Sequence, residues 1–135
     1  MSQSNRIDYT DATLSALPFV YRPKRGSKEL SSNWRVTPTT DYAHACNTGR
    51  EYAAHFIQWL RQSDMAMGNA LGLIVADMAA TVAPARGSDD ATHGYAVGFL
   101  SYLERLLAHA AESVDVWRDV EQLAERQARA LEVKP

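Results

Sequence analysis

The sequence predicts an all-α protein: a four-helix, roughly antiparallel bundle over residues 37–135, preceded by a partly extended N-terminal arm over 1–36. Three observations predict it. Apolar residues recur at helical spacing in four successive segments, and one of those segments is apolar on nearly every side. The connections between them are short and rich in Pro, Gly, Ser and Asp. The chain of 135 residues is the size of one domain with a single core, and its 46% hydrophobic and 22% charged residues are the balance of a folded globular protein.

The arm begins with Ser and Asn and places Pro18 and Pro23 around Phe19, Val20 and Tyr21. Each proline pushes its predecessor toward extended backbone, so Phe19 to Arg22 reads as a short strand or strap, with Asp11 able to cap a brief helical turn ahead of it.

The first helix is expected over about 38–62. Thr37 or Thr40 can cap it, Pro38 suits its first turn and Asp41 sits at its positive end. Tyr42, Ala45, Cys46, Gly49, Tyr52, Ala53, Phe56, Trp59 and Leu60 share its broad apolar face. The second helix, about 64–83, shows no polar face and is expected to be buried. It divides into a bulky ridge of Met67, Leu71, Ile74, Met78 and Val82 and a smooth stripe of Gly68, Gly72, Ala76 and Ala79. An interior glycine costs a helix about 1 kcal/mol relative to alanine, so the stripe is expected to admit a close neighbour, from this chain or from a second copy. Pro84 and the run Arg86 to Asp90 end this helix.

The third helix, about 92–111, carries Tyr95, Phe99, Tyr102, Leu103, Leu106 and Leu107 on one face. The fourth, about 113–133, carries Val116, Trp117, Val120, Leu123, Ala124, Ala128 and Leu131, with Arg118, Glu121, Glu125, Arg126 and Arg129 opposite. Both apolar faces are expected to join the core, and Glu125 and Arg129 form a favourable pair one turn apart.

Chemistry-bearing residues are sparse. His44, Glu51 and His55 share a stripe with Thr48 on the first helix and have the side chains of a zinc or iron site, although that stripe faces away from the core and no other helix supplies matching ligands. Asp77 and Asn69 are polar residues on the apolar second helix, so both are expected to be buried, with Asp77 either structurally bonded or lining a pocket. Cys46, on the apolar side, reads as a small hydrophobe. Gly94 and Gly98 lack the lysine and preceding strand of a phosphate loop.

The formal charge of −2 is unevenly spread. Arg6, Arg22, Lys24, Arg25, Lys28 and Arg35 against Asp8, Asp11 and Glu29 give residues 1–36 a balance of +3, leaving −5 on the remainder. With no convergent set of polar residues, the expectation is a non-enzymatic interaction or regulatory module without a cofactor. It would bind a protein partner through its helical face and the arm residues Phe19, Tyr21, Arg22, Lys24, Arg25, Lys28, Trp34 and Arg35, and self-association through Gly68, Gly72, Ala76 and Ala79 is a further possibility. The alternatives are nucleic-acid binding by the basic arm, whose aromatics could stack bases, and a small metal-binding bundle enzyme using His44, Glu51 and His55. A single cysteine and the lack of an apolar N-terminal run suit a cytoplasmic protein with no membrane span.

Overall fold

The computed structural model describes residues 7–66, 68–81 and 83–132. Among the described residues the chain is all-helical, with four α-helices, α1 (Tyr42–Gln62), α2 (Ala70–Ala79), α3 (Gly94–Ala111) and α4 (Val116–Glu132), and one short 3-10 turn, Leu14–Ala16. Among the described residues there is no strand, only one isolated antiparallel bridge between Tyr21 and Ser32. Two compact units divide the chain, Met1–Tyr102 and Leu103–Pro135, with the division falling within α3.

The helix starts and stops follow local chemistry. Asp41 caps α1 by accepting the His44 amide at 3.0 Å, so α1 begins at Tyr42 rather than at Pro38. Thr39 instead bonds backbone to backbone with Ala91 (2.8 Å), and its amide donates to the Thr92 hydroxyl (3.0 Å), tying the approach to α1 to the approach to α3. The second helix is ten residues long and does not extend over 64–83: Gly68 takes a left-handed φ of 82° and Asn69 is not helical. Met67, Val82 and Val133, each placed in a helix by the sequence pattern, lie outside the described residues. After α3 the Ser113 hydroxyl donates to the Ala110 carbonyl at 2.9 Å, and Asp115 accepts the Arg118 amide at 3.2 Å to open α4.

In the first unit α1 and α3 are in direct contact, a packing consistent with a bundle. Small residues set how close they come. A methyl group on Gly49 would lie 2.0 Å from the Tyr95 carbonyl oxygen, one on Gly98 would lie 2.0 Å from the Cys46 carbonyl oxygen, and one on Gly94 would meet Ala45 Cβ at 2.9 Å. The backbones therefore touch where side chains would ordinarily hold helices 8–10 Å apart. The smooth stripe expected on the second helix does not have this role: Gly68, which precedes α2, and Gly72, Ala76 and Ala79 within it are exposed, and nothing lies within 4 Å of a methyl placed on Gly72.

The N-terminal segment closes the core of this unit. Tyr9, Leu17, Phe19 and Trp34 are buried together with Ala45, Ala53, Phe56 and Trp59 of α1 and with Tyr95 and Phe99 of α3. Phe19 is central, its ring 5.3 Å from Trp34, 5.4 Å from Tyr52 and 5.5 Å from Phe99, between centroids. Such tilted and edge-on pairs add about 0.5–1.5 kcal/mol each beyond their buried area.

Polar contacts fasten the same segment to the end of α1. A turn with Asp11 at φ 58° aims the Ala12 carbonyl at two donors, Trp59 Nε1 (2.8 Å) and the Ser63 hydroxyl (2.5 Å), while the Tyr9 amide donates to Gln62 Oε1 at 2.9 Å. Phe19 and Arg35 then begin a hairpin-like excursion. Arg35 donates its amide to the Phe19 carbonyl (2.7 Å), and Tyr21 and Ser32 exchange both backbone hydrogen bonds at 2.8 and 3.0 Å.

Burial corrects the expectation for the second helix. Ala70, Ile74 and Met78 form a single buried stripe, and Leu71, Leu73 and Val75 of the same helix are exposed. Its apolar circumference is thus only partly inside the fold.

Candidate interaction surface

The residues proposed from sequence to bind a partner separate into three groups. Phe19 and Trp34, 0% and 6% exposed, are buried in the core. Tyr21, Arg22 and Arg35 hold the excursion together. The Arg35 guanidinium sits 3.7 Å from the centroid of the Tyr21 ring and 3.6 Å from Glu29, to which the Tyr21 hydroxyl also donates. Arg22 donates to the Tyr21 carbonyl, the Ser32 carbonyl and Asn33 Oδ1, the last at 2.8 Å. Lys24, Arg25 and Lys28 lie on the exposed turn between these anchors. The aromatic rings that base stacking would need are engaged: Trp34 is inside the core and Tyr21 is covered by Arg35.

The imidazoles on α1 are not brought together as ligands. Among the described residues no group of three or more His, Cys, Asp or Glu side chains could hold a metal ion. His44 is exposed and stacks edge-on near Tyr95, whereas His55 is half-buried with its Nδ1 2.8 Å from the Tyr9 hydroxyl. Burial holds the His55 pKa below its ordinary 6.5, against an opposing pull from Glu51, and burial raises that of Tyr9. A hydrogen bond between two neutral rings suits a structural pair.

The two polar residues of the second helix differ in role. Asp77 is half-buried and its Oδ2 accepts the Asn33 amide at 2.6 Å, so it ties the N-terminal excursion to α2. Asn69 is exposed at the start of α2, where its side chain makes no capping bond, and it is not a buried polar group.

Sequence periodicity assigned the stripe on α4 to the core, yet every residue from Leu107 to Glu132 is exposed. At ~100° per residue, Val116, Val120, Leu131, Ala124, Trp117 and Ala128 continue around from Leu123 and Ala130 over roughly 160° of the helix, interrupted only by Gln127. Trp117 is 76% and Leu131 70% exposed. A shallow, open depression on this face is lined by Val120, Leu123, Ala124, Arg126, Gln127 and Ala130.

No family model, curated protein or solved structure matches the chain. Among the described residues no helix is long and apolar enough to cross a membrane. The candidate site thus stands on its own geometry: a cleanly amphipathic helix whose apolar half faces water, and a separate exposed basic turn.

Proposed function

We propose that this protein is a non-enzymatic recognition module that engages a protein partner through the apolar face of α4. One observation carries the reading: Val116, Trp117, Val120, Leu123 and Leu131 form a contiguous exposed stripe on a single helix. Isolated exposed apolar residues are ordinary, but a continuous apolar helix face rimmed by charge is the form in which helices bind partners. An exposed tryptophan within it is the residue type that most often dominates binding energy. The basic turn of Lys24, Arg25 and Lys28 would add attraction for an acidic partner, acting on the rate of encounter more than on the strength of the complex. The reading is of a cytoplasmic protein, in keeping with a single half-buried cysteine.

The test compares the full chain with its Leu123→Glu and Trp117→Ala variants, each bearing an affinity tag and recovered from its native cell under mild conditions. A stoichiometric partner retained by the parent chain and lost from Leu123→Glu is expected, with recovery reduced about thirtyfold by Trp117→Ala if that residue contributes about 2 kcal/mol. Equal recovery by parent and Leu123→Glu, or recovery of no partner, refutes the reading.

A further inference from the structure

We infer that the occupant of the α4 face is a second copy of this chain, paired antiparallel in one register. The inference rests on the reading of α4 as a recognition helix and names its partner. Val116, Val120, Leu123, Gln127 and Ala130 follow one another at alternating spacings of four and three residues, the seam of a helix that packs by knobs into holes. The depression on α4 contains such a hole: Val120, Leu123, Ala124 and Gln127 stand at i, i+3, i+4 and i+7, with the small Ala124 leaving the space.

Charge on the flank then selects partner and register. One side of the seam carries Asp119 and Arg126, a heptad apart and opposite in sign; the other carries Trp117, Ala124 and Leu131. In an antiparallel pair with Asp119 facing Arg126 of the second copy, two-fold symmetry also sets Arg126 against that copy's Asp119, so a single contact supplies two ion pairs. The same register places Val120 opposite Leu123 of the second copy and Trp117 opposite its Ala124, a large ring over a methyl on each side of the axis. Gln127 falls opposite Val116 of the second copy at the end of the interface, where its amide reaches water.

Other arrangements of α4 forfeit this match. Sliding by one heptad brings Asp119 against Asp119 in one direction and Arg126 against Arg126 in the other. Parallel pairing aims Asp119 at Ala124 and Arg126 at Leu131, which leaves both charges without a partner. At ~1.5 Å per residue α4 spans only about 25 Å, so the pair is small and its dissociation constant falls in the micromolar range.

Sedimentation equilibrium of the full chain across micromolar concentrations tests this. The mass is expected to rise from 15.0 kDa toward twice that value as concentration increases. Asp119→Arg and Arg126→Asp, made singly, each turn two attractions into two repulsions and are expected to weaken self-association roughly tenfold, while the double variant returns to within about threefold of the parent. Circular dichroism checks that each variant keeps its helix content. A chain that stays monomeric throughout, single reversals without effect, or a double variant that fails to recover would each overturn the pairing. A monomeric chain whose recovered partner is still lost from Leu123→Glu overturns the second copy alone and leaves the recognition reading standing.

Discussion

Replacing Gly98 by alanine is expected to destabilise the first unit, even though alanine is the better helix former. The new methyl would lie 2.0 Å from the Cys46 carbonyl oxygen and 2.8 and 2.9 Å from its carbonyl and α carbons, where ordinary contact begins at 3.4 Å. The obstacle is helix backbone and cannot rotate aside, so α1 and α3 must separate by about 1.4 Å locally or tilt. Overpacking of a filled site costs typically 1–3 kcal/mol, and the upper end applies where the neighbour is rigid. Subtracting the ~1 kcal/mol that alanine contributes to helix propensity leaves a net loss of about 2 kcal/mol, or roughly 10 °C in Tm for a unit of this size. Gly72→Ala in α2 is the matched control: its methyl meets nothing within 4 Å, so propensity acts alone and Tm should rise by a few degrees. Thermal and urea unfolding followed by circular dichroism would read both. A Gly98→Ala variant as stable as the parent would refute the close crossing as the origin of this glycine.

Two further outcomes follow from the core and its edge. Phe19→Ala removes the central ring of the aromatic cluster and should cost about 3–5 kcal/mol in urea unfolding, whereas a partner-contacting aromatic on a free arm would leave stability unchanged. His55 has its folded pKa below the unfolded value near 6.5, so below that pH the unfolded chain binds the proton first; stability is complete above about pH 6.5 and declines as pH falls through the window beneath it, and Tm measured against pH should show a shallower decline in His55→Gln.

Helical periodicity was enough to locate α1, α3 and α4 and to pick out Ala45, Ala53, Phe56, Trp59, Tyr95 and Phe99 as core, because a helix face is a local property written at intervals of three and four residues. The ends were less legible. Thr37, Pro38 and Thr40 are all plausible starts for α1, and the choice of Asp41 depends on Thr39 bonding across to Ala91 and Thr92, more than fifty positions along the chain. The N-terminal segment was legible only in part, for a related reason. Prolines and lysines describe its backbone and its turn well, but nothing local distinguishes an aromatic that will contact a partner from one, such as Phe19 or Trp34, that fills the chain's own core.

The same division separates the glycines and the apolar faces. Pattern alone establishes that this chain makes four helices, that small residues allow two of them to approach, and that α4 has one apolar side. Which small residues meet is a matter of which helices become neighbours: Gly49, Gly94 and Gly98 are in contact, while the more conspicuous Gly68 and Gly72 face water. Tyr9, Leu17, Phe19 and Trp34 complete the core of the first unit. In the second, the stripe from Val116 to Leu131 is exposed, because amphipathicity records that a helix has a face to bury but not the surface against which it is buried.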